Sequence, residues 1–195
     1  GVDWGKTKIC FTAQGLTYRF DNPIKNKERE EGSPEPKFFP NSDLVHLQWE
    51  GASPDVQVIA GEQTSDYFSY AVNKNENINH IKGYKKLVYK NLYPNIDAVY
   101  EFHETDGIKY SLILHPGANP AVVKMKYENT ESISIDSHEN VVIKSSFGEF
   151  IDHAPKTFYS DNHQIIPSSF YIENNIVSFS LNSPLSFGEG QGVRQ

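Results

Sequence analysis

One short segment carries the side chains of an acid–base site. In Ile96–His103 a two-residue alternation puts Asp97, Val99, Glu101 and His103 on one face and Ala98, Tyr100 and Phe102 on the other. Two carboxylates and an imidazole are the right types to hold a divalent ion or to exchange protons with a substrate. Along a strand, however, neighbours on one face stand about 6.5–7 Å apart, and Asp97 and Glu101 are two such steps apart. Sharing one ion would require their side chains to converge. The segment therefore reads as a solvated polar face opposite an aromatic core face. Asp97 has a second available role, bracing the preceding Tyr93-Pro94-Asn95 turn. A hydrolase using Asp97, Glu101 or His103 is the third of three functional classes the sequence leaves open.

The other reactive residue types form no recognised spacing. His46, His80, His103, His115, His138, His153 and His163 give no HxH or HExxH arrangement, and they read as structural or surface residues. No serine sits in a GxSxG elbow, and neither phosphate-cradling glycine motif occurs. Asp136-Ser137-His138-Glu139-Asn140 is a faint likeness of a calcium loop that a turn between two strands explains better. The single cysteine, Cys10, rules out an intrachain disulfide and a Cys-only metal site, and in its apolar surroundings it reads as a small buried hydrophobe. The sequence thus predicts no catalytic residue, no metal ligand and no cofactor.

Aromatic rings are the remaining chemistry. Tyr67, Phe68, Tyr70, Tyr84, Tyr89 and Tyr93 crowd into residues 67–93. Buried, they are ordinary β core; exposed, such rings stack on sugars or seat a peptide. Tyr67, Tyr70, Tyr84 and Tyr93 are the candidate ligand-binding residues on that second reading.

These residues need elements to position them, and composition says which. Ile and Val number 29 against 18 for Leu, Ala and Met together, and 25 residues are aromatic. β-Branched and ring side chains fit a pleated, half-buried surface. The formal charge of −7 opposes binding to a phosphate backbone, so no nucleic-acid partner is expected. No run of 18 apolar residues exists, so no helical membrane insertion is expected.

Alternating runs bounded by Gly, Pro, Asn and Asp predict an all-β fold. The expected architecture is an antiparallel β-sandwich or barrel-like sheet of about a dozen short strands, forming one domain over residues 1–195. The clearest strands are 8–12, 16–20, 44–49, 56–60, 96–103, 108–115 and 176–181. Asp106-Gly107 between two of these runs is a strong hairpin signal. Residues 67–70 are of uncertain type, 65–72 could make one helical turn at most, 73–79 read as a loop, and 87–89 read as a short strand. Residues 21–43, charged and proline-rich, read as a long exposed loop. Residues 183–195 read as an irregular tail. A start at Gly1 without Met suggests a processed or excised piece of a longer protein.

Three stretches together carry a family resemblance: Gly15 to Phe20, Tyr84 to Tyr100 with its Asn91-Leu92-Tyr93-Pro94-Asn95-Ile96-Asp97 core, and Gly107 to Pro120 with Pro116-Gly117-Ala118-Asn119-Pro120. They resemble an uncharacterised N-terminal domain of secreted Bacteroidota proteins, over roughly Lys8 to Leu181. In such proteins the domain commonly precedes seven-bladed β-propeller repeats, PKD-like modules and a sorting domain for type IX secretion. The chain departs from that pattern at both ends, and a missing edge strand would leave a sheet open to pairing with another chain. The resemblance implies an extracellular or cell-surface location and carries no active site. The leading expectation is a non-catalytic structural, adhesion or assembly module. Its partners would be other domains of the same parent protein or cell-surface components. The alternative is a carbohydrate- or peptide-binding module using the aromatics in 67–93.

Overall fold

A computed structural model describes residues 2–4, 7–21, 42–73, 76–103, 107–181 and 193–194, with side chains for 7–21, 42–65, 82–103 and 107–181. The strands run in chain order as β1 (Val2–Trp4), β2 (Thr7–Thr12), β3 (Gly15–Asp21), β4 (Ser42–Trp49), β5 (Gln57–Asn73) and β6 (Glu76–Tyr93). Then come β7 (Ile96–His103), β8 (Gly107–Leu114), β9 (Lys124–Glu128), β10 (Ser132–Ile135), β11 (Val141–Ser145) and β12 (Gly148–Asp152). The last are β13 (Thr157–Tyr159), β14 (Ile165–Ile166), β15 (Ser168–Glu173), β16 (Ile176–Leu181) and β17 (Val193–Arg194). One 3₁₀ turn, Pro120–Val122, is the only helical element among the described residues. The all-β expectation holds. The barrel alternative does not, because the described strands form open sheets in which no first strand pairs with a last.

The backbone gathers into two compact units. The first, residues 1–50, 124–154 and 169–179, holds a seven-stranded sheet of order β1-β2-β3-β4-β9-β16-β15 and a three-stranded sheet β10-β11-β12. Alternation puts Ile9, Leu16, Phe20, Val45, Leu47, Trp49, Met125 and Tyr127 among the buried residues of the large sheet. The small sheet lies against it as the second layer of a sandwich. Its Phe150 ring stacks on Tyr18 at 4.1 Å between centroids and also meets Phe20 and Tyr127. The β10–β11 turn is tied by Asp136, whose Oδ1 accepts from the N–H groups of His138 and Asn140 and whose Oδ2 accepts from Asn140 Nδ2. That carboxylate serves the turn, as its sequence context suggested.

The second unit, residues 51–123, 155–168 and 180–195, is built on one seven-stranded sheet of order β14-β13-β17-β8-β7-β6-β5. Its core comes from Tyr89, Leu92, Tyr93, Ile96, Ala98, Tyr100, Leu112 and Leu114. The strands β7 and β8 are paired residue for residue from Ile96↔Leu114 to His103↔Gly107, the hairpin that the Asp-Gly signal predicted.

Where the sequence suggested short fragments, the structure has two long strands. Residues 57–60 and 67–70 belong to the 17-residue β5, and 87–89 belong to the 18-residue β6. Residues 65–72 are strand rather than a helical turn. In the supposed loop 73–79, Asn73 pairs with Glu76 and 74–75 lie outside the described residues. The fragments looked separate because the pairing is interrupted. Glu62 sits at φ 55, and the register shifts three times between Gln63 and Asn73. Each irregularity breaks the period-two pattern that marks a strand in sequence. The proposed 21–43 loop lies outside the described residues over 22–41; its ends pair directly, Asp21 with Ser42 and Phe20 with Asp43. Of the 183–195 tail, only Val193–Arg194 is described, as β17 between β13 and β8.

Candidate functional site

Two of the three stretches that carried the family resemblance, Tyr84 to Tyr100 and Gly107 to Pro120, meet in space. At the end of β6 the ladder to β7 slips: Tyr89 pairs with Ala98 and Tyr93 with Ile96, so Lys90, Asn91 and Leu92 stand opposite the single residue Asp97. Asn91 is forced to φ 54, a left-handed conformation that Asn tolerates. Its N–H loses the ladder partner it would otherwise have. Asp97 supplies one: Oδ1 accepts from Asn91 N at 2.8 Å. Oδ2 accepts from Lys90 Nζ at 2.7 Å and lies 2.9 Å from His115 Nε2.

His115 comes from the second motif. Its backbone N–H donates to Asn95 O at 2.9 Å, and its own carbonyl accepts from Ala118 N at 3.0 Å. Within that turn Gly117 sits at φ 83, and a Cβ there would stand 3.4 Å from Asn95 Nδ2. The β6–β7 turn itself is Pro94-Asn95, with Asn95 at φ 59. Ser53 N donates to Leu92 O at 2.8 Å, which satisfies a second bulge group. The residues of both motifs are thus those that a bulge, a tight turn and a buried carboxylate require.

Asp97 corrects the facing assignment. It shares a strand face with Val99 and Glu101, yet only 5% of it is exposed. Three residues folded over one position cover it, and period-two counting cannot foresee that. Burial pushes its carboxyl up; hydrogen bonds from Lys90, Asn91 N–H and His115, with the Lys90 charge, outweigh burial and leave it below the usual carboxylate range. Tyr100 and Ala98 are buried as expected, and Ile96 with them, whereas Phe102, expected on the core face, is half-buried.

Asp97, Glu101 and His103 do not form one site. Glu101 ion-pairs with Lys86 at 3.8 Å, Lys86 also reaches Glu62 at 4.0 Å, and His103 is exposed at the strand end. Among the described residues no group of three or more His, Cys, Asp or Glu side chains could hold a metal ion.

The four candidate tyrosines separate. Tyr93 is 2% exposed, so its ring is core and cannot stack on a ligand. Tyr84 is 42% exposed and keeps ring surface open to solvent. Tyr67 and Tyr70 pair in the β5–β6 ladder with Lys82 and Ile78, and their side chains lie outside those described.

A second polar cluster was not legible in the sequence. Direct cross-strand pairing aligns Cys10, Thr17, His46 and Glu128 across β2, β3, β4 and β9. Thr17 Oγ1 and His46 Nδ1 are 2.9 Å apart, and Glu128 Oε1 is held by Lys126 Nζ at 2.8 Å. Cys10 is exposed, contrary to the buried reading. Its neighbour Ile9 takes the core face of β2, so Cys10 must take the other. Neighbours in this row are 7, 29 and 82 positions apart in sequence, and only strand pairing brings them together.

These features define an all-β protein of open antiparallel sheets whose signature residues gather around one buried carboxylate. The chain belongs to the family described as a domain of unknown function (DUF7948), whose model matches residues 2–185. Searches of curated proteins and of solved structures gave no match.

Proposed function

We propose that the chain is a non-catalytic structural or assembly module of a secreted or cell-surface bacterial protein. The supporting observation is the junction at Asp97. Of the three residues suited by type to acid–base chemistry, Asp97 is spent on satisfying a bulge: it accepts from Asn91 N–H and Lys90, with His115 within hydrogen-bond distance. A general base must instead offer a lone pair toward a substrate. On this reading the family motifs preserve a fold, and the partners are other domains of the parent protein or cell-surface components. The resemblance to secreted Bacteroidota proteins with type IX sorting domains supports a location outside the cell.

The test is a screen of the purified chain with glycoside, ester and peptide substrates, alongside Asp97→Asn and His115→Gln. No turnover is expected. Turnover lost in either variant while its circular dichroism stays native would overturn the reading.

A second reading rests on Tyr84, whose exposed ring could serve a carbohydrate or a peptide. A glycan array comparing the chain with Tyr84→Ala separates the two. Binding lost on that substitution favours a ligand-binding module.

A further inference from the structure

The second unit's sheet has two halves, β5-β6-β7-β8 and the hairpin β13-β14, and among the described strands only β17 joins them. Chain order gives the space between them no other strand, because the strands between β8 and β13, β9 to β12, all belong to the first unit. The strand that fills it comes from beyond the family domain. The family match ends at Leu185, and β17 begins at Val193. Three rungs hold β17: Val193 pairs with Leu114 on β8 and with Tyr159 on β13, and Arg194 pairs with Phe158.

The register says what such a strand must look like. Residues paired across a sheet share a face. The position of Val193 therefore falls in the row of Ile96 and Leu114, both buried. The position of Arg194 falls in the row of Phe158 and Ile165, and Ile165 is 78% exposed. Two positions past Val193 the same register faces Leu112 on β8 and Thr157 on β13, each 2% exposed. The space asks for an extended segment that is apolar at every second position and undemanding in between.

We propose that the space between β8 and β13 is a strand-acceptor slot, by which the domain holds the polypeptide that follows it on the same chain. Recognition by strand addition draws its affinity from main-chain hydrogen bonds and its specificity from alternate side-chain positions. Val193–Arg194 is the docked segment here. Held by three rungs, it can open while the β7–β8 hairpin, paired over eight, stays closed. The slot extends the assembly reading by naming the partner, an extended segment of the parent chain. Its test reads strand docking alone, so its failure and a positive substrate screen are separate outcomes.

Hydrogen exchange on the full chain is the first measurement. Val193→Asp sets a charge at a position in the buried row, and Arg194→Asp sets the same charge at a position in the exposed one. Val193→Asp should speed exchange across residues 112–114 and 157–159 by about tenfold or more. Residues 96–101 of β7, flanked by β6 and β8, should keep their wild-type rates. Arg194→Asp should leave both sets unchanged. The second measurement is fluorescence anisotropy of a labelled peptide, Val-Arg-Val-Thr-Val, which continues the docked pair with apolar residues at alternate positions. In excess it should bind the unaltered chain saturably, and the Val193→Asp chain about tenfold more tightly, since no tethered strand competes there. The same peptide with proline at its third position should bind neither. Binding to the unaltered chain needs no variant and stands as a readout if Val193→Asp fails to fold. Unchanged exchange in a folded Val193→Asp chain would overturn the proposal. So would equal release by Arg194→Asp, a peptide that does not bind the unaltered chain, or one that tolerates the proline.

Discussion

Replacing Asp97 separates the two things its carboxylate does. Asp97→Ala removes the acceptor of the Asn91 backbone N–H and both side-chain partners. A hydrogen bond from backbone N–H to a charged acceptor is worth about 1.5–3 kcal/mol. The Lys90 and His115 side chains are 45% and 40% exposed, so water recovers most of what they lose. Each pair then adds about 0.5 kcal/mol. The expected cost of Asp97→Ala is about 2.5–4 kcal/mol. Asp97→Asn keeps an oxygen for Asn91 N–H and loses only the charge, so it should cost about 1–2 kcal/mol. Urea unfolding at neutral pH reads both values from the midpoint shift. The pH dependence follows from the sign of the shift. The folded carboxyl lies below its ordinary 3.8, so its contribution is complete above that value and is lost as pH falls through the folded one. The gap between wild type and Asp97→Asn should close in strong acid, as the carboxylate is protonated. Asp97→Ala within about 0.5 kcal/mol of wild type, or a gap undiminished in strong acid, would refute the idea that this carboxylate braces the bulge.

Three further outcomes follow from burial and close contact. Tyr93→Ala should cost about 3–5 kcal/mol, as for a fully buried ring, whereas Tyr84→Ala should cost less than about 1 kcal/mol; paired denaturation curves check the contrast. Gly15→Ala should destabilise by more than about 2 kcal/mol, because its Cβ would stand 2.0 Å from the Leu47 carbonyl oxygen on β4; a stability change near zero contradicts that packing. The Cys10 thiol, being exposed, should react with one equivalent of a maleimide in the native state; labelling that requires denaturant would put it in the core.

The strands that alternate without interruption were legible from residue order. Ile96–His103 and Ile176–Leu181 fall where their patterns put them. In each, turn residues bound a run rich in β-branched or aromatic side chains, so local chemistry and strand pairing agree. β5 and β6 were legible only in pieces, since bulges make the side-chain period lose count while the backbone stays extended.

Composition and alternation determined that the chain is all-β and antiparallel, because a pleated strand writes its burial into every second residue. Turn chemistry did the same for the hairpins, because only certain residues tolerate a left-handed backbone. The fate of Asp97 was decided by tertiary structure alone. Its buried state depends on a three-against-one bulge in the neighbouring strand and on a histidine 18 positions later. Strand pairing likewise decided that Cys10, Thr17, His46 and Glu128 share a row, because register joins residues that no sequence window contains. Residue order fixes which side of a strand a group occupies; what lies across from it is set by the partner strand.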